Sequence, residues 1–251
     1  MLRQLLSPLL DFQAPHPPAL ATPFGTAQYI EFMKAESFLL SPSYARRRVR
    51  IHGVEHLRAT RERGGLLAAL HIGSFFLSGG ALVHQLGLPY TCVASRHNLR
   101  FTPGNEADFW LGVHQRSESL YGTPMFYTDE SVRKSLSWLE ENKYLGVAID
   151  VRENGIRNKE DRFSFLGQDI YVHTGPGRLA RISGRPMLPM TILFDSRRRV
   201  HDLHIGAPVL AATPHACIQQ TLDQMAPLVV TAQQQFFHDL LGMFATPHRV
   251  D

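Results

Sequence analysis

Short, almost wholly apolar runs alternate along this chain with longer segments of helical periodicity. The runs Leu66–Leu70 and Tyr144–Ile149 have the length and composition of buried strands. The segments Phe75–Leu86 and Glu130–Glu141 have the length and apolar spacing of helices. Strands that alternate with helices in this way predict an α/β fold. Its central, mostly parallel sheet is expected to be flanked by helices and edged by an antiparallel hairpin.

The same patterns predict the remaining elements. Further strands are expected at Val49–His52, Tyr90–Ser95, Met125–Thr128, Pro186–Phe194 and Arg199–Ile205. Further helices are expected at Thr26–Leu40, Glu55–Glu62, Asn105–Val113, Gly177–Ser183 and His215–Phe244. Pro227 is expected to kink or divide the last helix, because proline removes a helical hydrogen bond. The chain then divides into an N-terminal helical segment (1–48), an α/β core (49–210) and a C-terminal helical segment (211–251).

Two of the predicted strands lead directly to side chains that can do chemistry. Leu66–Leu70 is followed by His71, and Tyr144–Ile149 is followed by Asp150. Open α/β sheets bind their ligands at the carboxyl ends of strands, and Gly73 lets a substrate approach the backbone closely. A single histidine after a strand is also a common structural residue. The local sequence therefore leaves a functional and a structural interpretation of His71 open.

Composition and charge narrow the class of protein. With 44% hydrophobic and 19% charged residues the chain is an ordinary globular protein, so disorder is not indicated. The net charge of +4 favours anionic partners such as phosphorylated carriers or membrane surfaces, and nothing in the sequence supports nucleic acid. Cys92 and Cys217 are far apart in sequence and are expected to be reduced and buried. Neither an HExxH nor a CxxC motif is present, so no metal site is predicted.

The location of the protein follows from its apolar segments. No segment has the roughly 20 apolar residues that a membrane span needs. Met1–Leu10 is short and contains Pro8, so it is expected to pack on the domain, with contact to a membrane surface as the alternative. The sequence therefore predicts a cytoplasmic protein, and peripheral contact with the inner membrane stays open.

Six blocks between Val49 and Val209 follow one another in the order of a known family. The blocks are VRIHGVEHL, ALHIGSFF, GLPYTCVASRHN, QRSESLYG, AIDVRENG and FSFLGQDIYVHTGPGRLARISGRPMLPM. Together they resemble the lysophospholipid acyltransferase superfamily, and within it the late lipid A acyltransferases of the lauroyl/myristoyl type. The resemblance implies a glycerolipid acyltransferase-like fold. It also implies transfer of an acyl group from an acyl carrier protein or coenzyme A thioester to a hydroxyl or amine acceptor.

The resemblance also implies roles for individual residues. His71 would be the general base, Arg116 or the backbone amides after His71 would face the carbonyl oxygen, and Asp150 would orient Arg116 or the histidine. No tightly bound cofactor is implied. The positions implied to bind substrate are Gly73, Ser74, Phe76, Arg96, Glu153, Thr174 and Gly175.

The chain departs from the family at Phe76. Family members place Asp or Glu five residues after the histidine, where the carboxylate orients the imidazole, but here the sequence reads HIGSFF. Loss of the orienting carboxylate in a serine protease triad costs about 10⁴-fold in rate. Another acid (Asp150, Glu153 or Glu118) reaches the imidazole, or the acceptor needs less help, or catalysis is lost. An acyltransferase, a thioester or ester hydrolase, and an inactive protein that binds an acyl carrier or lipid therefore all remain hypotheses.

Two further departures concern the acceptor. An N-terminal membrane helix and a Pro-Glu-Gln-Trp type block, both usual in the family, are not recognisable in this sequence. Both features accompany a lipid A acceptor at the membrane. We therefore expect a soluble biosynthetic enzyme with another acceptor, such as a small metabolite, a sugar or a carrier-bound intermediate. Simpler interpretations remain for Ser74, which would cap a helix, and for Thr174–Gly177, which would form a turn before one.

Overall fold

A seven-stranded sheet forms the centre of the computed structural model, which describes residues 26–95, 104–128, 131–151, 160–237 and 240–247. The strands of this sheet are β1 (Val49–His52), β2 (Gly65–Ala69), β3 (Tyr90–Ala94), β4 (Phe126–Tyr127), β5 (Tyr144–Ala148), β8 (Met187–Asp195) and β9 (Val200–Ile205). Their order across the sheet is β1-β9-β8-β2-β5-β3-β4. Every neighbouring pair is parallel except β8 and β9, so the predicted fold class is confirmed.

Helices cover both faces of this sheet. They are α1 (Thr26–Glu36), α2 (Pro42–Arg48), α3 (Val54–Ala59), α4 (Phe76–Leu86), α5 (Gly104–Tyr121), α6 (Ser131–Glu140), α7 (Gly175–Ser183), α8 (Pro214–Val229) and α9 (Leu240–Met243). Alternate residues of β2 point to opposite faces. Leu67 packs with α1, α4 and α5, whereas Leu66 and Ala68 pack with α6, α7 and α8. The strand is buried on both sides, as its apolar sequence predicts.

Several predicted elements differ in the structure. The antiparallel pair β8–β9 lies one strand inside the edge, because β1 adds to β9 in parallel. The segment from 160 to 173 forms a separate hairpin, β6 (Glu160–Phe165) and β7 (Gln168–His173), that the sequence analysis does not predict. Helix α5 runs to Tyr121 rather than to Val113.

Proline explains two of the helix boundaries. Pro42 occupies the first turn of α2, where the side chain of Ser41 accepts a hydrogen bond from the backbone N–H of Tyr44 at 3.2 Å. Pro227 lies inside α8, which ends two residues later at Val229. The chain then continues as a short 3₁₀ turn, Gln233–Gln235, so the predicted C-terminal helix is divided. The predicted division of the chain at residues 48 and 210 stays a prediction.

No helix in the described part of the chain is long and apolar enough to cross a membrane.

Helix α4 and strand β3 approach each other closely on one face of the sheet. At Gly79 an added Cβ would overlap the rings of Tyr90 and Tyr121, which stack edge to face at 5.1 Å. Glycine is therefore required where these aromatic rings press against the helix.

Substitution of Gly79 by alanine tests this approach. Alanine favours the helix by about 1 kcal/mol, but overpacking of a core costs about 1–3 kcal/mol. We expect Gly79→Ala to lower the free energy of unfolding by about 1–2 kcal/mol in urea titrations. Gly104→Ala is the matched control, because an added Cβ there meets nothing within 4 Å. A Gly79→Ala protein as stable as the wild type would contradict the close packing.

Candidate active site

His71 and Asp150 meet at the carboxyl ends of two neighbouring parallel strands. Strands β2 and β5 pair in register, with Ala69 opposite Ala148, so the residues that follow each strand emerge side by side. The Asp150 carboxylate accepts two hydrogen bonds from His71, from the backbone N–H at 2.8 Å and from ring atom Nδ1 at 2.9 Å. This arrangement supplies the carboxylate that Phe76 cannot provide.

The surroundings of the pair set its chemical state. Asp150 is only 1% exposed, whereas the His71 side chain is 24% exposed. An ionised carboxylate only accepts hydrogen bonds, so Nδ1 carries the proton and Nε2 has the lone pair that can take one. Burial disfavours the imidazolium, but the charge of Asp150 and its hydrogen bond outweigh this and raise the pKa of His71. The pair thus resembles a general base held by an orienting acid.

The loop after His71 is fixed by contacts on its far side. Gly73 has φ +62°, and a Cβ there would overlap the carbonyl oxygen of Ile192. Its N–H donates to the carbonyl of Gln235 at 2.9 Å. The close packing of Gly73 against β8 is therefore sufficient to require a glycine at this position. The predicted close approach of a substrate is not needed to explain it.

Ser74 faces a buried carboxylate and not the cleft. Its hydroxyl donates to Glu36, which also accepts hydrogen bonds from Tyr44 Oη and His201 Nε2, both at 2.6 Å. Burial would raise the pKa of Glu36, but His201 and the three hydrogen bonds outweigh it and lower that pKa. The prediction that Ser74 binds substrate is not supported by this placement. Ser74 does not cap α4 either, because the N-cap position of this helix is occupied by Phe75.

Backbone amides after His71 are also engaged. The N–H groups of Ile72, Gly73 and Phe75 donate to the carbonyls of Leu70, Gln235 and Gly73, respectively, at 2.8–3.0 Å. These three amides are therefore not available to a carbonyl oxygen of a substrate. On the C-terminal side, the N–H of Phe237 donates to the carbonyl of His71 at 2.8 Å and holds that residue in place.

An apolar cavity of about 290 Å³ opens beside the histidine. This cavity, the chain pocket, lies between α4, α5 and the strands β2, β3 and β5. It is lined by Ala69, Leu70, His71, Phe75, Phe76, Tyr90, Cys92, Val93, Ala94, Ser95, Trp110, Val113, His114, Ser117, Tyr121, Met125, Gly146, Val147, Ala148, Val151, Met190 and Phe237. Its size is at the lower end of the range for small-molecule sites, about 300–1,000 Å³. Phe76 therefore forms part of the wall.

A second cavity, of about 470 Å³, lies on the other face of the sheet between α6 and α7. This side pocket shares six wall residues with the chain pocket, all at or just beyond the carboxyl ends of β3 and β5: Val93, Ala94, Ser95, Val147, Ala148 and Val151. Gly175, at the start of α7, lines the side pocket, whereas Thr174 is buried as the residue before that helix. The two cavities therefore share a wall at the strand ends next to Asp150.

Arg116 lies away from the His71 pocket. Its guanidinium donates to the carbonyl of Ser37 at 3.1 Å and stacks over the ring of Phe38 at 4.6 Å. Arg116 does not line the chain pocket in the described residues. The prediction that this cation faces the substrate carbonyl is not supported by its position. Helical geometry explains the position of Arg116. It lies two residues after His114, which lines the pocket, and therefore projects from the opposite side of α5.

The remaining predicted residues have varied positions. Arg96 and Glu153 lie outside the described residues. Glu118, a candidate partner for the imidazole, accepts a hydrogen bond from the N–H of Met125 at 2.8 Å.

Burial, reinforced by the Glu118 charge, raises the pKa of the Cys92 thiol to about 12, so this thiol is not a nucleophile at neutral pH. The described residues include no group of three or more His, Cys, Asp or Glu that could hold a metal ion.

Of the aromatic residues around the histidine, the sequence identified Phe76 as a site residue but not Phe75, Trp110 or Phe237. Phe75 packs edge-on against His71 at 4.7 Å, and Trp110 packs against Phe237 at 5.0 Å. The spacing of Trp110, Val113, His114, Ser117 and Tyr121 is the available signal, because these positions share one face of α5. That spacing alone does not distinguish a cavity wall from a filled core.

Comparison with known proteins adds a likeness in structure. No protein-family model matches this chain, and no curated protein matches it. Among solved structures, the chain is similar to the crystal structure of the 1-acyl-sn-glycerophosphate (LPA) acyltransferase PlsC from Thermotoga maritima. The likeness covers 83% of this chain and 81% of that chain, with 15% sequence identity and a TM-score of 0.44. A likeness of this extent assigns neither a family nor an activity.

Neutralisation of Asp150 tests the electrostatics of the pair. In Asp150→Asn the charge that raises the pKa of His71 is lost while burial remains, so we expect that pKa to fall. The wild-type pair stabilises the folded protein fully below the ordinary histidine pKa and loses this contribution as pH rises through the raised pKa. Titration of the His71 ring by NMR measures the change. Asp202→Asn, which alters the more exposed His52 pair, is the control; an unchanged His71 pKa in Asp150→Asn would contradict the assignment.

Proposed function

We propose that this protein is an acyltransferase that moves an acyl group from a thioester to a hydroxyl or amine. The observation that carries the proposal is the His71–Asp150 pair, which lies beside an apolar pocket at the carboxyl ends of parallel strands. A buried carboxylate that binds both the backbone and the ring of one histidine orients that ring. Binding of an apolar chain does not need such a pair, so catalysis is favoured over the inactive alternative.

The chemistry proceeds through one proton carrier. His71 Nε2 takes the proton of the acceptor as the acceptor oxygen or nitrogen attacks the thioester carbonyl carbon. The tetrahedral intermediate collapses, the carbon–sulfur bond breaks, and the proton on His71 passes to the departing sulfur. Asp150 holds Nδ1–H throughout and stabilises the transient imidazolium. General base catalysis of this kind contributes about 10²–10⁴-fold to the rate.

The donor chain occupies the chain pocket. One face of α5, from Trp110 to Tyr121, forms a wall about 16 Å long at 1.5 Å per residue. The cavity along this wall is mostly apolar, and the wall begins near His71, where Trp110 and Phe75 both pack on Phe237. An acyl chain lying along this wall places its thioester carbonyl at the histidine. An acyl carrier protein or coenzyme A, both anionic, suits a chain of net charge +4 as the carrier.

The acceptor enters through the side pocket. This cavity reaches the same strand ends from the opposite face, and Gly175 and Arg178 line it. An acceptor bound there can present its nucleophilic atom to the carbonyl without displacing the acyl chain. Hydrolysis is the second outcome of the same chemistry, because water can replace the acceptor at His71.

A thioester assay tests the proposal. Acyl carrier protein loaded with acyl chains of graded length is incubated with the purified protein and with panels of hydroxyl and amine acceptors, and the products are followed by mass spectrometry. We expect loss of thioester that depends on acceptor and falls at least about 10²-fold in His71→Ala. His52→Ala, at a half-exposed histidine that also pairs with an aspartate, is the control. Loss without acceptor would identify a hydrolase, and thioesters that persist with every acceptor would refute catalysis.

Narrowing the chain pocket tests where the acyl chain lies. Val113 is buried and lines the pocket, so Val113→Phe should shorten the longest chain that is transferred. Each excluded methylene changes kcat/KM by about 10–200-fold in an apolar pocket, so we expect a shift in chain preference of that order. Leu111→Phe, on the exposed side of the same helix, is the control. An unchanged chain-length profile in Val113→Phe would place the acyl chain elsewhere.

A further inference from the structure

Two polar side chains interrupt the apolar wall of the chain pocket. His114 and Ser117 lie one turn apart on the face of α5 that lines this cavity. Within the described residues, His114 Nδ1 is a buried atom that finds no hydrogen-bond partner, and buried Ser117 Oγ has only the hydroxyl of Tyr121 beside it. A buried polar atom whose hydrogen-bonding capacity is not filled destabilises the protein, so such atoms call for an explanation. Because both residues line the pocket, its contents are the nearest source of a partner.

The surroundings of Ser117 favour a partner from the pocket. Burial raises the pKa of Tyr121, and a side-chain hydrogen bond with Ser117 opposes that rise. Tyr121 Oη already donates to the carbonyl of Phe76 at 2.9 Å. The Ser117 hydroxyl can rotate, and it both donates and accepts.

The chemistry of these two residues defines the group they bind. Burial lowers the pKa of His114, Glu118 opposes this shift and His71 adds to it, so His114 is a neutral imidazole near pH 7 with one donor and one acceptor. The negative charge of Glu118, which also acts on Cys92 in the pocket wall, disfavours an anionic group there. A neutral group that both donates and accepts matches the two side chains, and a hydroxyl is the smallest such group.

We infer that the acyl chain accepted by this protein carries a hydroxyl group near its thioester end, and that His114 and Ser117 select it. The inference rests on the proposed acyl transfer. The position of the hydroxyl along the acyl chain follows from helix α5. Trp110 packs against Phe237, whose N–H donates a hydrogen bond to the carbonyl of His71. His114 lies four residues after Trp110, about 6 Å further along the helix axis. The hydroxyl therefore lies within the first few carbons from the carbonyl. A site built to bond a hydroxyl discriminates strongly against a chain that lacks it.

Competing donors test this selection. The wild type is given carrier-bound decanoyl, 3-hydroxydecanoyl, 4-hydroxydecanoyl and 5-hydroxydecanoyl groups, and kcat/KM is measured for each. We expect at least one hydroxylated chain to exceed decanoyl by about tenfold or more. In His114→Leu and Ser117→Ala this preference should fall towards unity, and His114→Leu should accept decanoyl better than the wild type does. Gln115→Leu and Ser119→Ala, exposed on the same helix, should keep the wild-type preference.

A binding experiment separates this inference from the proposed function. Decanoyl and the three hydroxydecanoyl pantetheine thioesters are titrated calorimetrically into His71→Ala, in which turnover is blocked. Tighter binding of a hydroxylated thioester that is lost with His114→Leu would support the selection even if no acceptor were found. Equal binding and equal kcat/KM for all four chains would overturn it while leaving acyl transfer intact. Absence of any transfer with preserved hydroxyl selectivity would overturn the proposed enzyme instead.

Discussion

The two hydrogen bonds that Asp150 accepts from His71 determine how the rest of the site is built. A carboxylate that is 1% exposed has lost nearly all contact with water, and this is tolerated only when its oxygens are well paired. Here one oxygen binds the backbone and the other binds the ring, so both position and orientation of the imidazole are fixed. The pairing requires β2 and β5 to be adjacent, parallel and in register. Sheet order is therefore a condition of the site.

A second buried carboxylate holds the opposite side of the same loop. Glu36, at the end of α1, accepts hydrogen bonds from Ser74, Tyr44 and His201. The loop is thus bound to Asp150 at His71 and to Glu36 at Ser74, three residues later. The general base proposed at His71 would gain from this rigidity, because its geometry is set before substrate arrives.

The apolar residue at position 76 has a physical consequence. Phe76 opens α4 and lines the chain pocket, so an acid at this position would place a charge in the wall of an apolar cavity. Supplying the acid from β5 keeps that wall apolar while the histidine retains its carboxylate. The departure from the family pattern is therefore compatible with an oriented imidazole, and it changes the surface that a chain would meet.

Sequence patterns predict the parts of this site that depend on local order. The apolar runs before His71 and Asp150 identify both residues and the strands that deliver them. Contacts between distant segments are beyond such patterns: the sequence leaves three acids as partners for His71, and only the pairing of β2 with β5 decides among them. Tertiary packing likewise determines that Arg116 points towards Ser37, that Ser74 is buried against Glu36 and that strands β6 and β7 form a hairpin.

The shared wall of the two cavities bears on the order of chemical events. Because the chain pocket and the side pocket share a wall at the ends of β3 and β5, the proposed reaction has room for two substrates on opposite faces of the sheet. A covalent acyl-enzyme would need a nucleophile beside the histidine. Among the described residues, Ser74 is bonded to Glu36 and Cys92 has a raised pKa, so neither is activated by His71. For the acyl transfer proposed above, direct transfer between two bound substrates is the route that fits these observations, with His71 as the proposed carrier of the proton from acceptor to leaving group.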